Sequence, residues 1–179
     1  MKLDSLLVEI MLELQSLLRD ELQGQGHELT GKLSDSIKFE ISFDGTEAVG
    51  QMFFEDYGIY VNLGVKAENI PFGGRGIGKK GGTSRYIQGL IEFWEHRGLS
   101  GREAIGAAFA TARVHAREGM PTRASYQHSG TGERTGFVRT AVVDRIDKIG
   151  ESIQRRFGQT LELQFANSFS GSQNITVQP

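Results

Sequence analysis

The residues around Ile41 alternate between polar and apolar side chains, and this pattern constrains the fold more than any other stretch of the chain. Phe39, Ile41 and Phe43 occupy every second position, which is typical of a strand with one buried face. The Asp44-Gly45 pair that follows is a strong turn signal, and a second strand is predicted to run back from about residue 47 to 54. The sequence therefore predicts an antiparallel β-hairpin.

Long amphipathic helices are predicted on both sides of this hairpin. Between residues 3 and 22, leucine and isoleucine recur at spacings of three and four, as on one face of a helix, and Gly24-Gln25-Gly26 ends it. A second helix is expected from about Phe137 to Phe157, where Gly158 ends it. Its buried face is marked by Val142, Ile146, Ile149, Ile153 and Phe157. Beyond this helix, residues 161 to 165 alternate and predict a further strand.

Further elements are expected between the hairpin and the C-terminal helix. Tyr57 to Leu63 is short, aromatic and apolar, and it fits either a strand or a helical turn. Residues 73 to 83 are rich in glycine, which indicates a mobile loop. Two helices follow. Apolar residues between Tyr86 and Trp94 form the face of the first, and Ser100 with Glu103 makes a capping box for the second.

The order of helix, hairpin, helices and strand predicts an α+β fold. We expect an antiparallel β-sheet, made of the hairpin and additional strands, packed against the N-terminal helix and the long C-terminal helix. The helical pair is an insertion. We expect one α+β domain over residues 1–165, in which residues 66–118 form the Gly-rich loop and the helical insertion. Residues 166–179 are polar and are expected to form a flexible C-terminal tail or arm.

Charge is distributed unevenly along the chain. Residues 1–72 carry 5 Lys and Arg against 13 Asp and Glu, whereas residues 73–179 carry 15 against 9. An acidic half and a basic half suit head-to-tail contact between identical subunits. Alternatively the basic half faces nucleic acid, or the two halves fold together and their charges intermix. With no cysteine, disulfides and thiol chemistry are excluded, and assembly in a reducing cytoplasm fits.

The sequence offers no convincing reaction centre. Gly73-x-x-x-x-Gly78-Lys79-Lys80 resembles a phosphate-binding loop, but Lys80 stands where Ser or Thr is needed to hold magnesium. The four histidines are not paired at metal-ligand spacing on one helix, so no metal site and no cofactor are expected. No apolar run approaches the roughly 18 residues of a membrane span, so no membrane partner is expected. We therefore expect a protein that is not an enzyme.

Two basic clusters are candidates for contact with a partner. The denser one comprises Arg75, Lys79, Lys80 and Arg85. The looser one comprises Arg113, Arg117 and Arg123. Such side chains contact phosphates without reading bases. The aromatic residues expected for single-strand binding are missing around the Gly-rich segment.

Two motifs and their order resemble the tail-completion, or neck, proteins of tailed bacteriophages. Thr30-Gly31-Lys32-Leu33-Ser34-Asp35-Ser36-Ile37 matches the Thr-Gly-x-Leu-x-x-Ser-Ile entry into the hairpin of that family. Tyr57-Gly58-Ile59-Tyr60-Val61-Asn62-Leu63-Gly64 matches its Tyr-x-x-Tyr-Val-x-x-Gly segment. Gly119-Met120-Pro121-Thr122 and the helix from Phe137 are similar to the family's Pro-containing loop and long helix. The likeness covers roughly residues 1–64 and 119–165, and residues 66–118 depart from the smaller members.

This resemblance implies a structural virion protein, assembled in the host cytoplasm, that forms a ring in the neck and has no catalysis or cofactor. Such a ring, commonly a hexamer, terminates the tail tube and joins it to the head connector. An alternative is a connector or adaptor ring that docks on the portal, often with twelve subunits. A non-specific DNA-binding module is an alternative of another class.

The expected partners are copies of the chain, portal-side head-connector proteins, tail tube or sheath proteins, and DNA passing through the lumen. We expect Tyr57, Tyr60, Asn62, Arg113, Arg117 and Arg123 at the subunit interface. We expect Arg75, Lys79, Lys80 and Arg85 to face the lumen or an adjacent ring.

Replacing Arg75, Lys79 and Lys80 together with Ser is predicted to leave folding intact and to impair assembly or DNA retention. The reason is that this Gly-rich segment is expected to bury nothing but carries three cations. Particle yield and infectivity of the triple variant measure the effect. Normal infectivity contradicts it.

Overall fold

The computed structural model describes residues 3–43, 48–72 and 84–170, and the side chains of residues 5–43, 48–72 and 84–159. It confirms the α+β class, with helices and a two-stranded antiparallel sheet in the described part of the chain. The α-helices are α1 (Leu3–Gly24), α2 (Lys32–Ser36), α3 (Gly58–Leu63), α4 (Arg85–His96), α5 (Gly101–Glu118), α6 (Phe137–Val142) and α7 (Ile146–Ser170). The strands are β1 (Lys38–Phe43) and β2 (Ala48–Phe53). Short 3-10 helices span Ala67–Asn69, Arg123–His128 and Val143–Arg145.

The described residues group into two compact units. Unit 1 comprises Met1–Leu18, Lys38–Phe53 and Val138–Pro179, and unit 2 comprises Arg19–Ile37 and Phe54–Phe137. By sequence, unit 1 carries 7 Lys and Arg against 10 Asp and Glu, and unit 2 carries 13 against 12. Each unit thus draws on both the acidic and the basic half of the sequence. The opposite charges of the two halves therefore largely cancel within each unit.

In unit 1 the hairpin packs against the N-terminal helix, as predicted. Ile41 lies opposite Gly50 in the β1–β2 register, and a Cβ built on Gly50 comes within 2.5 Å of the Met11 sulfur of α1. Gly50 therefore leaves the space that Met11 fills. On another side of α1, the Arg156 guanidinium of α7 donates to the Glu13 carboxylate at 2.7 Å. These contacts join helix α1 to both the sheet and α7.

The strand predicted over residues 161 to 165 is wrong, because α7 continues through it to Ser170. Extending an existing helix requires no new nucleation, whereas a lone strand needs a partner. Gly158 lies inside α7 and does not end it. The expected additional strands are absent from the described residues, where the sheet has only β1 and β2. Residues 166–170 of the predicted tail are helical, and residues 171–179 lie outside the described part.

The helix expected without a break from Phe137 is interrupted. Helix α6 ends at Val142, a 3-10 turn follows over Val143–Arg145, and α7 begins at Ile146. Of the predicted buried face, Ile149 is buried, whereas Ile146 and Phe157 are exposed. The periodicity therefore identified the apolar stripe, but unit 1 covers only part of it.

Unit 2 contains the helical insertion, which is closed at its base by a β-bridge. Val65 and Met120 exchange two backbone hydrogen bonds of 2.7 Å, so the two ends of residues 66–118 are joined. Gly64 and Gly119 flank the bridge at φ +73° and +82°, and a Cβ on Gly119 lies 2.5 Å from the Val65 carbonyl oxygen. Only glycine fits both the positive φ and this close approach.

The predicted helical pair within the insertion is confirmed. Ala104, Ala108 and Ala112 of α5 are fully buried, and α5 packs on α4, so the small side chains allow close approach of the two helices. The Trp94 indole nitrogen donates to the Thr111 hydroxyl at 3.0 Å and ties the pair together. Ser100 is the N-cap of α5, but its side chain makes no capping hydrogen bond.

The variant Gly119→Ala is predicted to unfold unit 2 more easily, by about 1–3 kcal/mol, because it strains the backbone and drives a methyl group into the bridge. Gly106→Ala is the matched control. Gly106 lies in α5 with no neighbour near its Cβ position, so alanine there is expected to stabilise by about 0.5–1 kcal/mol. Denaturant unfolding measures both, and equal stability of the two variants contradicts the role of the bridge.

Candidate functional site

The two motifs that carry the family likeness pack on each other in unit 2. Gly58 of the second motif is buried, and a Cβ built on it lies 2.9 Å from Leu33 of the first motif and 2.5 Å from Phe54. The Glu55 backbone N–H donates to the Ser36 hydroxyl at 3.1 Å. Segments 30–37 and 57–64 are therefore parts of one local structure. These contacts explain the glycine at position 58 and the serine at position 36.

Tyr57 to Leu63, for which strand and helical turn were both open, forms the short helix α3 with an exposed apolar face. Ile59, Tyr60 and Leu63 are 52%, 64% and 73% exposed. Tyr57 precedes the helix and is also exposed. The helix turns its buried glycine inward, so its large side chains point to solvent. We call Tyr57, Ile59, Tyr60 and Leu63 the α3 patch. Several adjacent large apolar side chains in solvent mark an interaction surface.

A groove of about 940 Å³ lies in unit 2 and is lined by apolar and aromatic side chains interspersed with polar and charged ones. Phe93 and Trp94 of α4, stacked edge to face at 5.3 Å, form one side. Val61 and Tyr57 form another. Tyr57 belongs to the α3 patch, and Tyr60 lines an adjoining hollow of about 440 Å³ that shares several residues with the groove. Tyr57 and Tyr60 of the α3 patch therefore border the groove and its adjoining hollow, and we call the groove the unit 2 groove.

A cluster of hydrogen bonds holds one wall of the groove. The Arg134 guanidinium donates to the backbone oxygens of Gln25 and Gly26 at 2.7 and 3.2 Å. The fully buried Gln25 amide donates in turn to the Thr135 oxygen at 3.2 Å. His27 Nε2 lies 3.1 Å from the Arg134 backbone oxygen. The end of α1 and the segment before α6 are thus fixed to each other.

Three cationic side chains, Lys32, Arg97 and Arg134, and one carboxylate, Glu28, line the groove, which leaves it with a net positive charge. Arg97 lies 4.7 Å above the Phe93 ring, and both Arg97 and Arg134 line the groove. Burial and, secondarily, the charge of Arg97 lower the pKa of Arg134. Among the side chains that the structure describes, no carboxylate pairs with either arginine. An anionic group entering the groove therefore relieves repulsion between two cations.

His115 and Tyr86 form a polar contact between α4 and α5. The Tyr86 hydroxyl lies 2.8 Å from His115 Nδ1. Burial raises the pKa of Tyr86 to about 12 and lowers the pKa of His115. Burial and the charge of Arg134 also lower the pKa of His27. Both histidines line the groove, and both favour the neutral form in the folded chain.

The predicted interface residues fall into separate places. Tyr57 and Tyr60 lie together in the α3 patch, whereas Asn62 is half-buried and its backbone oxygen accepts from the Gly136 N–H at 2.7 Å. Arg113 is exposed on α5. Arg117 pairs with Glu118 at 2.7 Å, and the Arg123 N–H donates to the same carboxylate, so these two residues lie close to each other.

Of the four residues predicted to face the lumen or an adjacent ring, the structure describes one. Arg85 is exposed at the first position of α4. Arg75, Lys79 and Lys80 lie outside the described residues.

The sequence pattern missed the groove residues Gln25, His27, Arg97 and Arg134. Gln25 and His27 lie about 110 residues before the segment that holds Arg134. Arg97 lies at the end of α4, and no spacing along the chain links the four residues. Within residues 3–43, 48–72 and 84–170, no group of three or more His, Cys, Asp or Glu side chains is arranged to hold a metal ion. The helices in these ranges include none with the length and apolar character of a membrane span.

No protein-family model, curated protein or solved structure matches this chain.

Stability is predicted to fall as the pH drops below about 6.5. Because the pKa of His115 is lower in the folded chain than in the unfolded chain, the unfolded state takes up protons first and gains stability as the pH falls from 6.5. The variant His115→Gln removes this proton uptake. The loss of melting temperature between pH 7.5 and 5.5 is expected to be smaller in the variant than in the wild type. An equal loss in both proteins contradicts a half-buried His115 whose neutral form is favoured in the folded chain.

Proposed function

We propose that this chain is a structural subunit of a ring in the neck of a tailed bacteriophage virion. The ring terminates the tail and joins it to the head connector. The proposal rests on the order and spacing of the motifs that resemble neck proteins. The observation that carries it is the α3 patch, which lies within the second of these motifs and exposes Ile59, Tyr60 and Leu63.

The α3 patch supplies part of the free energy that opposes the cost of association, which is about 4–15 kcal/mol. Full burial of a large apolar side chain stabilises by about 1.5–3 kcal/mol. Since Ile59, Tyr60 and Leu63 are each more than half exposed, covering them yields roughly 2–5 kcal/mol per contact. The adjoining groove adds Phe93 and Trp94 to the same surface. A partner that covers both the α3 patch and these aromatic side chains therefore gains free energy by removing both from water.

A ring suits the chain better than a two-fold dimer. Besides the α3 patch of unit 2, exposed apolar side chains also lie in unit 1, at Val49 and Phe53 of β2 and at Ile146 and Phe157 of α7. When a surface of unit 1 on one copy contacts the α3 patch of the next copy in one rotational sense, the contact is heterologous, and it closes into a ring when the rotation permits. A two-fold dimer buries one shared interface, and the surfaces outside that interface stay in water.

The function makes no use of a reaction centre. Its chemistry consists of contacts with copies of the chain, with portal-side head-connector proteins and with tail tube or sheath proteins, around a lumen through which DNA passes. An adaptor ring docked on the portal is the alternative, and the number of subunits distinguishes the two, since adaptors are expected with twelve and tail terminators commonly with six.

The double variant Tyr60→Ser/Leu63→Ser is predicted to shift the full-length chain from a ring to a monomer, because it removes the most exposed apolar side chains of the α3 patch. Size-exclusion chromatography with light scattering measures the mass. Ile105→Ser is the matched control, since Ile105 is an exposed apolar residue on α5 of the same unit and is expected to keep the ring. A wild-type chain that stays monomeric at high concentration, with or without head-connector and tail-tube proteins, contradicts the proposal.

A further inference from the structure

We propose that the unit 2 groove receives the β1–β2 hairpin of a second copy of this chain, with Glu40 of the hairpin facing Arg97 of the groove. This inference rests on the proposed ring and names the segment that makes its contact. It follows from the chemistry of the groove and from the exposed face of the hairpin.

The groove requires an occupant that is both apolar and anionic. Phe93, Trp94 and Val61 present an apolar lining, which gains free energy only if an apolar group displaces water. Arg97 and Arg134 form no ion pair among the described side chains. The groove is also lined by Lys32 and by the Glu28 carboxylate, so its net charge is positive. A segment with apolar side chains and one carboxylate satisfies both conditions.

The outward face of the hairpin has this composition. Residues directly opposite each other in the register share a face, so Glu40, Val49 and Phe53 lie on one face, while Ile41 and Gly50 lie on the face that packs on Met11. Val49, Phe53 and Glu40 are all exposed. The outward face therefore presents two apolar side chains together with a carboxylate, and Lys38 stands at its end opposite Phe53.

The other exposed apolar surfaces of unit 1 fit the groove less well. Residues 138–179, which include α7, carry 5 Lys and Arg against 4 Asp and Glu, so they bring positive charge toward two arginines. Val8 and Leu12 of α1 are exposed, but the neighbouring Glu9 and Glu13 already pair with Arg156. Residues 38–53 carry 3 Asp and Glu against 1 Lys. Charge complementarity therefore selects the hairpin.

Among the described residues the sheet contains only two strands, so each strand has one edge that pairs with no other strand. A two-stranded hairpin is marginally stable alone, and docking its outward face in a groove covers its exposed apolar side chains. Each copy then donates one hairpin and accepts another. When successive copies do this in one rotational sense, the contact is heterologous and builds a ring, whereas two copies that exchange hairpins reciprocally form a two-fold dimer.

Site-specific crosslinking tests the occupant directly, because the chain has no cysteine. Ala110 of α5 lines the groove and is exposed, so Ala110→Cys labelled with a benzophenone maleimide places a photoreactive group there. The labelled full-length chain is mixed with ¹⁵N-labelled unmodified chain and irradiated, and mass spectrometry maps the adducts. We expect adducts between the two isotopic forms within residues 38–53. Glu95→Cys, exposed on α4 and not lining the groove, is expected to give none there.

A charge exchange provides the second measurement. Glu40→Arg and Arg97→Glu each place like charges together and are expected to weaken ring formation on the order of tenfold or more, whereas the double variant restores it. Arg102→Glu, an exposed arginine of α5 outside the groove, is the matched control and is expected to have no effect.

The two proposals fail in different ways. If rings form but the groove adducts fall outside residues 38–53, the hairpin is not the occupant. The same conclusion follows if rings form but the double variant gives no rescue. In both cases the proposed ring stands. A chain that forms no ring, alone or with head-connector and tail-tube proteins, overturns the proposed function and the occupant together.

Discussion

The hydrogen bonds between residues 24–27 and 130–135 are the constraint on which the candidate site depends. Arg134, Gln25 and His27 join the end of α1 to the segment before α6, together with a bond from the Gly130 N–H to the Gly24 oxygen at 2.8 Å. Because segments this distant in sequence cannot be held together by local propensity, the polar cluster fixes one wall of the groove. Deleting one partner of a buried hydrogen bond costs about 1–3 kcal/mol, so this wall is specific and sensitive to substitution.

The insertion supplies the opposite side of the groove and is attached independently. The Val65–Met120 bridge closes its base, and the glycines beside it permit the close approach of the two backbones. The aromatic residues of α4 then complete a surface that the motif segments alone do not form. Residues 66–118 therefore enlarge the surface next to α3 and leave the packing of segments 30–37 and 57–64 on each other intact.

Sequence reasoning predicted those parts of the fold in which one periodicity dominates. The alternation around Ile41 and the leucines of α1 each allow one interpretation, and the structure has the hairpin and the helix there. Residues 161 to 165 fit two interpretations, because Leu161, Leu163 and Phe165 alternate as in a strand but also fit within a helix that is already formed. The structure has a helix there. Of the site, Tyr57 and Tyr60 were predicted, whereas Arg97 and Arg134 were not. Their proximity depends on tertiary contacts between distant segments, which composition and spacing do not encode.

We propose that this chain acts by contacting copies of itself through different surfaces, so that each copy contacts the next in one rotational sense. Electron cryomicroscopy of the concentrated full-length chain tests this most directly, because the rotational symmetry of end-on particle averages is counted without reference to any variant. We expect closed rings, commonly of six subunits, in which every subunit makes the same contact with its neighbour. Isolated single chains, or two-fold dimers joined through one self-complementary surface, contradict it.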